Sequence, residues 1–241
     1  NRIKNLINSD DPIFVCNEEH RFITAEQIRE INVNPKSILI EPCSKNTAPA
    51  IAAAALHTFS EDEDPILLIL PSDHLIKNNQ SFLESIEEAR LTALQGNIVT
   101  FGINPTHPAT GYGYIKSEEV FHKKAQKPYQ IKEFIEKPKK ELAEKFIRDK
   151  NYTWNSGIYM AKASTIIKEF EKFTPEINIF CKESLEKKIK DLDFDRLDKE
   201  AFEKCPEISI DKAIMEKSSL GVVFPLNVEW SDIGGWQSFW E

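Results

Sequence analysis

The sequence predicts an α/β fold built on a mostly parallel central sheet, and two observations carry that prediction. Short apolar runs of strand length recur along the first hundred residues, and between them lie longer stretches whose apolar residues return every three or four positions. Strands that alternate with helices in this way pair in parallel, with helices covering both faces of the sheet.

Taken in order, residues 13–15, 37–40, 66–70 and 98–101 have the composition of buried strands, and segments 21–31, 47–59 and 81–94 have the pattern of helices. In the last of these helices Phe82, Ile86, Ala89 and Ala93 share one face. After Gly102 the pattern changes. Residues 111–115 and 130–136 alternate apolar and polar side chains, as in a hairpin or mixed sheet. A polar helix at 139–148, a strand at 158–161 and a helix at 175–190 follow. Ser209 is placed to cap a helix over 210–217, and 222–224 forms a late strand. The chain has 241 residues and shows no repeat or low-complexity linker, so one domain spanning 1–241 is expected.

Composition removes several classes of function. A net charge of −8 argues against a broad nucleic-acid or anionic-membrane surface. No apolar run approaches the length that spans a bilayer, and no signal peptide is visible, so the cytoplasm is the expected location. The four cysteines, Cys16, Cys43, Cys181 and Cys205, lack CxxC spacing and suit free thiols in a reducing compartment. The five histidines form no HxH or HExxH pair, which leaves a zinc site without support.

Chemistry is best placed at the ends of strands. The run from Ile66 to Leu70 is apolar enough to be expected in the middle of a sheet, and Pro71 ends it. Asp73 then falls at the carboxyl end, where open α/β sheets bind ligands, and a carboxylate there suits Mg²⁺. Capping of a following turn explains the same aspartate equally well. Residues 41–49 leave the second strand and enter an alanine-rich helix. Asn46 or Thr47 is the natural N-cap, Pro49 suits the first turn, and the helix amino end can face an anion or a polar base edge. Glu136 and Lys137 close a strand before Pro138. Lys137 is a natural phosphate ligand and Glu136 an acceptor for sugar hydroxyls, although a solvated turn accounts for the pair as well. Asn155 sits between an aromatic residue and a glycine, suited to vicinal hydroxyls or to finishing a turn. Asp232 lies between Trp230 and Trp236 and is followed by Gly234 and Gly235, a composition suggesting a shaped pocket. Asp191 and Asp193 make a DxD pair, a metal motif in nucleotide-sugar glycosyltransferases. They lie in a charged stretch, which favours a solvated connection.

Seven segments in this order carry a resemblance: EPCSKNTAPAIAAAA, LLILPSDHLI, TFGINPTHPATGYGYI, FIEKP, YTWNSGIYM, ISIDKAIMEK and VEWSDIGGW, running from about residue 41 to 236. Together they resemble the mannose-1-phosphate guanylyltransferase family. The resemblance implies a Rossmann-like nucleotidyltransferase fold with an inserted sugar-binding β region, and a reaction that exchanges GTP and mannose 1-phosphate for GDP-mannose and pyrophosphate. It implies Mg²⁺ held by Asp73 and Asp232, guanine near Asn46 and Thr47, and sugar contacts from Gly113, Glu136 and Asn155. Lys137 would contact the sugar phosphate, making Asp73, Lys137 and Asp232 the expected catalytic set. No nucleic acid or membrane partner is expected, and a homodimer is left open.

The family's glycine-rich GGxGxR loop has no counterpart here, since the first glycine is Gly96. The domain is accordingly expected to be incomplete at its amino end. Three other readings stay open: a bifunctional protein with a C-terminal mannose-6-phosphate isomerase domain, a DxD glycosyltransferase, and a non-catalytic nucleotide-sugar-binding homologue.

Overall fold

The computed structural model describes Ile3, Leu6 and residues 9–233. The chain divides into two compact units, residues 1–65 with 166–214 and residues 66–165 with 215–241. The α/β class expected from the sequence is observed.

In the first unit β1 (Ile13–Asn17) runs parallel to β2 (Ser37–Glu41), joined through α1 (Arg21–Glu30). The β2 strand is almost fully buried because its apolar residues Ile38, Leu39 and Ile40 are covered on both faces. One face packs Ala25 and Ile28 of α1 against Ile38, Ile40 and Phe194. The α2 helix (Thr47–Thr58) is rich in alanine, with Ala48, Ala52, Ala53 and Ala55 buried, and small side chains allow close approach. It packs against α6 (Pro175–Glu186), which in turn contacts α7 (Lys199–Phe202).

The expected helix over 175–190 stops at Glu186 because Ile189–Asp191 and Phe194–Arg196 form a small antiparallel pair, β9 and β10. The β10 strand also lies parallel to β2. Leu192, exposed and at φ 53°, makes the turn between them. Asp191 pairs with Arg196 and Asp193 with Arg29. The DxD pair is thus a solvated hairpin turn. Residues 210–217, expected as a helix, wind instead as a short π-helix over Asp211–Met215.

The second unit contains β3 (Ile66–Ile69), β4 (His74–Ile76), α3 (Asn79–Leu94), β5 (Ile98–Ile103), β6 (Tyr114–Ser117), β7 (Tyr129–Ile135), α4 (Lys140–Phe146), β8 (Tyr152–Lys162), β11 (Gly221–Pro225) and β12 (Trp230–Asp232). Its six-stranded sheet has the order β3-β8-β5-β11-β7-β6. The β5–β11 pair is parallel and the other pairings are antiparallel. The α3 helix packs on this sheet through the face containing Phe82, Ile86, Ala89 and Ala93, as its periodicity requires.

Two expectations are corrected in this unit. The apolar strand at 66–69 is at the edge of its sheet among the described residues, pairs with β8 only, and is half-buried throughout. Apolar composition reports covering of a strand's faces and says nothing about how many of its edges are paired. The strand expected at 158–161 is eleven residues long and begins at Tyr152, because β8 pairs with β3, β5 and β6 along different parts of its length. The α5 helix (Ala163–Phe173), which follows β8 directly, is not among the elements that the sequence pattern predicts.

Candidate active site

Pro71 follows β3 and turns the chain, after which His74 to Ile76 pair with β12. In that register Asp232 lies opposite His74, and the Ile233 amide donates to the Asp73 carbonyl at 2.8 Å. Lys77 and Glu229 close the other end of the small ladder, by a backbone bond of 3.1 Å and an ion pair of 2.8 Å. This local pairing is what brings together two acids far apart in sequence. Ligand atoms of Asp73, His74 and Asp232 all lie within 4.8 Å of one another. Two carboxylates at this spacing are a donor set suited to a hard divalent cation. Gly234, Gly235 and Trp236, which follow in the motif, lie outside the described residues.

Beside this acid pair runs a line of aromatic rings. Trp154 meets Tyr112 with centroids 5.1 Å apart, Tyr112 meets Trp230 at 5.1 Å, and Trp230 meets His74 at 5.2 Å. Each contact is edge-on, the arrangement aromatic quadrupoles favour. Nothing local in the sequence marks Tyr112, Trp154 or the imidazole of His74 as part of a site. Trp230 carried a signal, being two residues from Asp232 and therefore on the same face of a strand.

Gly113 follows Tyr112, and its carbonyl accepts from the Asn155 amide at 2.8 Å. A Cβ on Gly113 would stand 2.7 Å from Glu136 Oε2 and 3.4 Å from Asn155 Cβ. The structure therefore brings Gly113, Glu136 and Asn155 together. The Asn155 side chain is buried: Oδ1 accepts from Thr100 Oγ1 at 2.7 Å and from the Gly157 amide at 3.2 Å, and Nδ2 donates to Tyr159 Oη at 2.9 Å. Lys137 adopts φ 48°, in the left-handed region, and leaves its ammonium exposed, 3.6 Å from Glu136 Oε1.

Asn46 and Thr47 belong to the other unit and are held by its own contacts. Asn46, at φ 67° and ψ −170°, caps α2 by accepting from the Thr47 amide at 2.8 Å. The Ile210 amide donates to Thr47 Oγ1 at 2.9 Å, and the Ala48 amide donates to the Ile208 carbonyl at 3.1 Å. The segment around Ile208 thus pins the start of α2. Nearby, burial raises the Glu41 carboxyl to about 7, and its Oε1 is buried without a hydrogen-bond partner.

An α/β protein with paired carboxylates beyond a strand end, and a glycine–glutamate–lysine cradle in the same unit, has the parts of a phosphate-transferring enzyme. The chain belongs to the nucleotidyl transferase family, whose model matches residues 1–241. It is 45% identical over 242 residues to mannose-1-phosphate guanylyltransferase 2 of Escherichia coli O157:H7, covering 98% of this chain and 50% of that relative. It is 46% identical over 227 residues to the xanthan biosynthesis protein XanB of Xanthomonas campestris pv. campestris (strain B100), covering 94% of this chain and 48% of that protein. The solved structure of mannose-6-phosphate isomerase from Helicobacter pylori matches with a TM-score of 0.83 at 34% identity, over 95% of this chain and 88% of that one. The chain spans about half the length of the curated relatives it matches. No helix among the described residues is long and apolar enough to cross a membrane.

Proposed function

We propose that this chain is the guanylyltransferase part of a protein that makes GDP-mannose and pyrophosphate from GTP and mannose 1-phosphate, with Mg²⁺ as the metal. The observation that supports the reading most directly is the approach of Asp73 to Asp232 across the β4–β12 ladder. Likeness to relatives named for guanylyl transfer to mannose 1-phosphate supplies the choice of substrates.

Asp73 and Asp232 would hold Mg²⁺, which when bound supplies positive charge against the phosphate oxygens. The sugar phosphate, whose second pKa is about 6, is mostly dianionic near neutrality and needs no general base to attack the α-phosphorus of GTP. The protein's task is alignment and charge neutralisation. Lys137, with its ammonium exposed, would meet the sugar phosphate. Glu136, whose carboxylate fills the volume that Gly113 leaves open, would accept hydrogen bonds from sugar hydroxyls. Asn155, whose amide is already bonded to Thr100, Gly157 and Tyr159, would serve the sugar site mainly by holding Gly113 through the backbone. Asn46 and Thr47 would lie near the guanine.

The test is pyrophosphate release by the full-length protein from GTP and mannose 1-phosphate. Release should require Mg²⁺ and fall by roughly 10²–10³-fold in Asp73→Asn and in Asp232→Asn, the range seen when a transition-state charge partner is removed. Full turnover in both variants, or turnover with UTP and not GTP, sinks the reading. A second reading is favoured by the Helicobacter pylori neighbour, named as an isomerase. In it the full-length protein also interconverts mannose 6-phosphate and fructose 6-phosphate, which a direct isomerase assay tests.

A further inference from the structure

The Asp73 side chain is 53% exposed, so packing alone does not set its direction. His74 beside it is buried, and Trp230 contacts its ring. The Trp230 indole Nε1 donates to His74 Nδ1 at 3.3 Å, with the rings edge-on at 81°. Gly157, at φ 70°, is near the ring as well: a Cβ there would stand 3.7 Å from His74 Cε1.

An indole N–H only donates, so Nδ1 is the acceptor and the hydrogen of the neutral imidazole is on Nε2. Nε2 is the atom that lies 4.0 Å from Asp73 Oδ1. That separation is longer than a hydrogen bond, and one water or a small rotation of the exposed carboxylate spans it. Ligation of a metal through Nε2 would need the lone pair that this proton occupies, and ligation through Nδ1 would break the bond to Trp230.

We infer that His74 is a positioning residue and not a third metal ligand: Trp230, His74 and Asp73 form an indole–imidazole–carboxylate relay that aims Asp73 at the cation site. The inference rests on Asp73 and Asp232 being the metal pair. The ladder delivers the parts together, since Trp230 and Asp232 lie two residues apart on β12 and Asp232 is opposite His74. Donors that orient a ligating carboxylate change metal affinity by about 10–100-fold when removed.

The experiment is Mn²⁺ titration of the full-length protein, with free Mn²⁺ read by electron paramagnetic resonance. Asp73→Asn should weaken binding by more than about tenfold. His74→Phe, which fills the space without an N–H, should weaken it about tenfold. His74→Gln, which keeps a donor near the Nε2 position, should remain within about threefold of wild type. In the wild type at about pH 8.5, imidazole ¹⁵N NMR should show Nε2 protonated and Nδ1 bare, and Trp230→Phe should mix the two tautomers. Wild-type affinity in His74→Phe alongside weak binding in Asp73→Asn overturns the relay and leaves the metal pair standing. Unchanged binding in Asp73→Asn removes the metal pair and the relay with it. The NMR result stands without any variant, and a proton on Nδ1 of the wild type also overturns the relay.

Discussion

Gly113 leaves open the volume that the Glu136 carboxylate fills, since a Cβ on Gly113 would come within 2.7 Å of Glu136 Oε2. Gly113→Ala should therefore push the flexible end of Glu136 aside. A loss of no more than about 1 kcal/mol in urea unfolding is expected, because a side-chain tip moves and no backbone does. The KM for mannose 1-phosphate should rise about tenfold, the effect of one lost hydrogen bond to a charged group. An unchanged KM would remove Glu136 from the sugar site.

Asn46 carries both strain and a cap. Its φ of 67° with ψ of −170° lies in a region that glycine adopts freely and asparagine does not, at a cost of about 1–3 kcal/mol. A glycine N-cap loses only a few tenths of a kcal/mol. Asn46→Gly should accordingly raise stability by roughly 1 kcal/mol while raising the KM for GTP, if the side chain meets guanine as proposed. Thermal melting and steady-state kinetics on the same sample separate the two effects. A more stable variant with unaltered GTP kinetics would place the guanine elsewhere.

Burial lifts the Glu41 carboxyl from 4.5 to about 7. The folded chain then holds an extra proton relative to the unfolded chain between those values. The stability contributed is full below about 4.5 and lost as pH rises through about 7. Glu41→Gln imitates the protonated form, so it should match wild type near pH 5 and exceed it near pH 8, by up to about 3 kcal/mol. Melting temperatures across that range provide the check, and a gap that does not widen with pH would contradict the assignment.

The thiols should divide by access. Cys16 and Cys43 are half-buried, whereas Cys181 and Cys205 are buried with their sulfurs 3.7 Å apart. The hydrogen bond to Cys205, and then burial, holds the Cys181 thiol well above the usual range. An aromatic disulfide reagent should label Cys43 and Cys16 in the folded protein, and Cys181 and Cys205 only on unfolding. Peptide mapping reads the order, and early labelling of Cys181 would show that its cover opens.

Much of the fold was legible because periodicity reports burial. The α3 face follows directly from Phe82, Ile86, Ala89 and Ala93, and the α2 start from the capping preference of Asn46. Pairing was not legible. The hydrophobicity of Ile66 to Ile69 does not reveal that the strand has one partner among the described residues, and nothing local announces the register that sets Asp232 opposite His74. Of the site, the residues that carry charge stood out in the sequence. The aromatic line through Trp154, Tyr112 and Trp230 did not, because its members are brought together by three separate segments.

His74 and Trp230 are separated by 156 positions, yet they meet in a ladder of three residue pairs. At ribosomal speeds of about 5–20 residues per second, the second strand emerges roughly eight to thirty seconds after the first. During that interval His74 lacks its Trp230 partner and Asp73 lacks the Ile233 amide, and if Asp73 and Asp232 are the metal pair, the early part of the chain is present without cation affinity. Acquisition of that affinity would therefore serve as a clock for completion of the domain during synthesis.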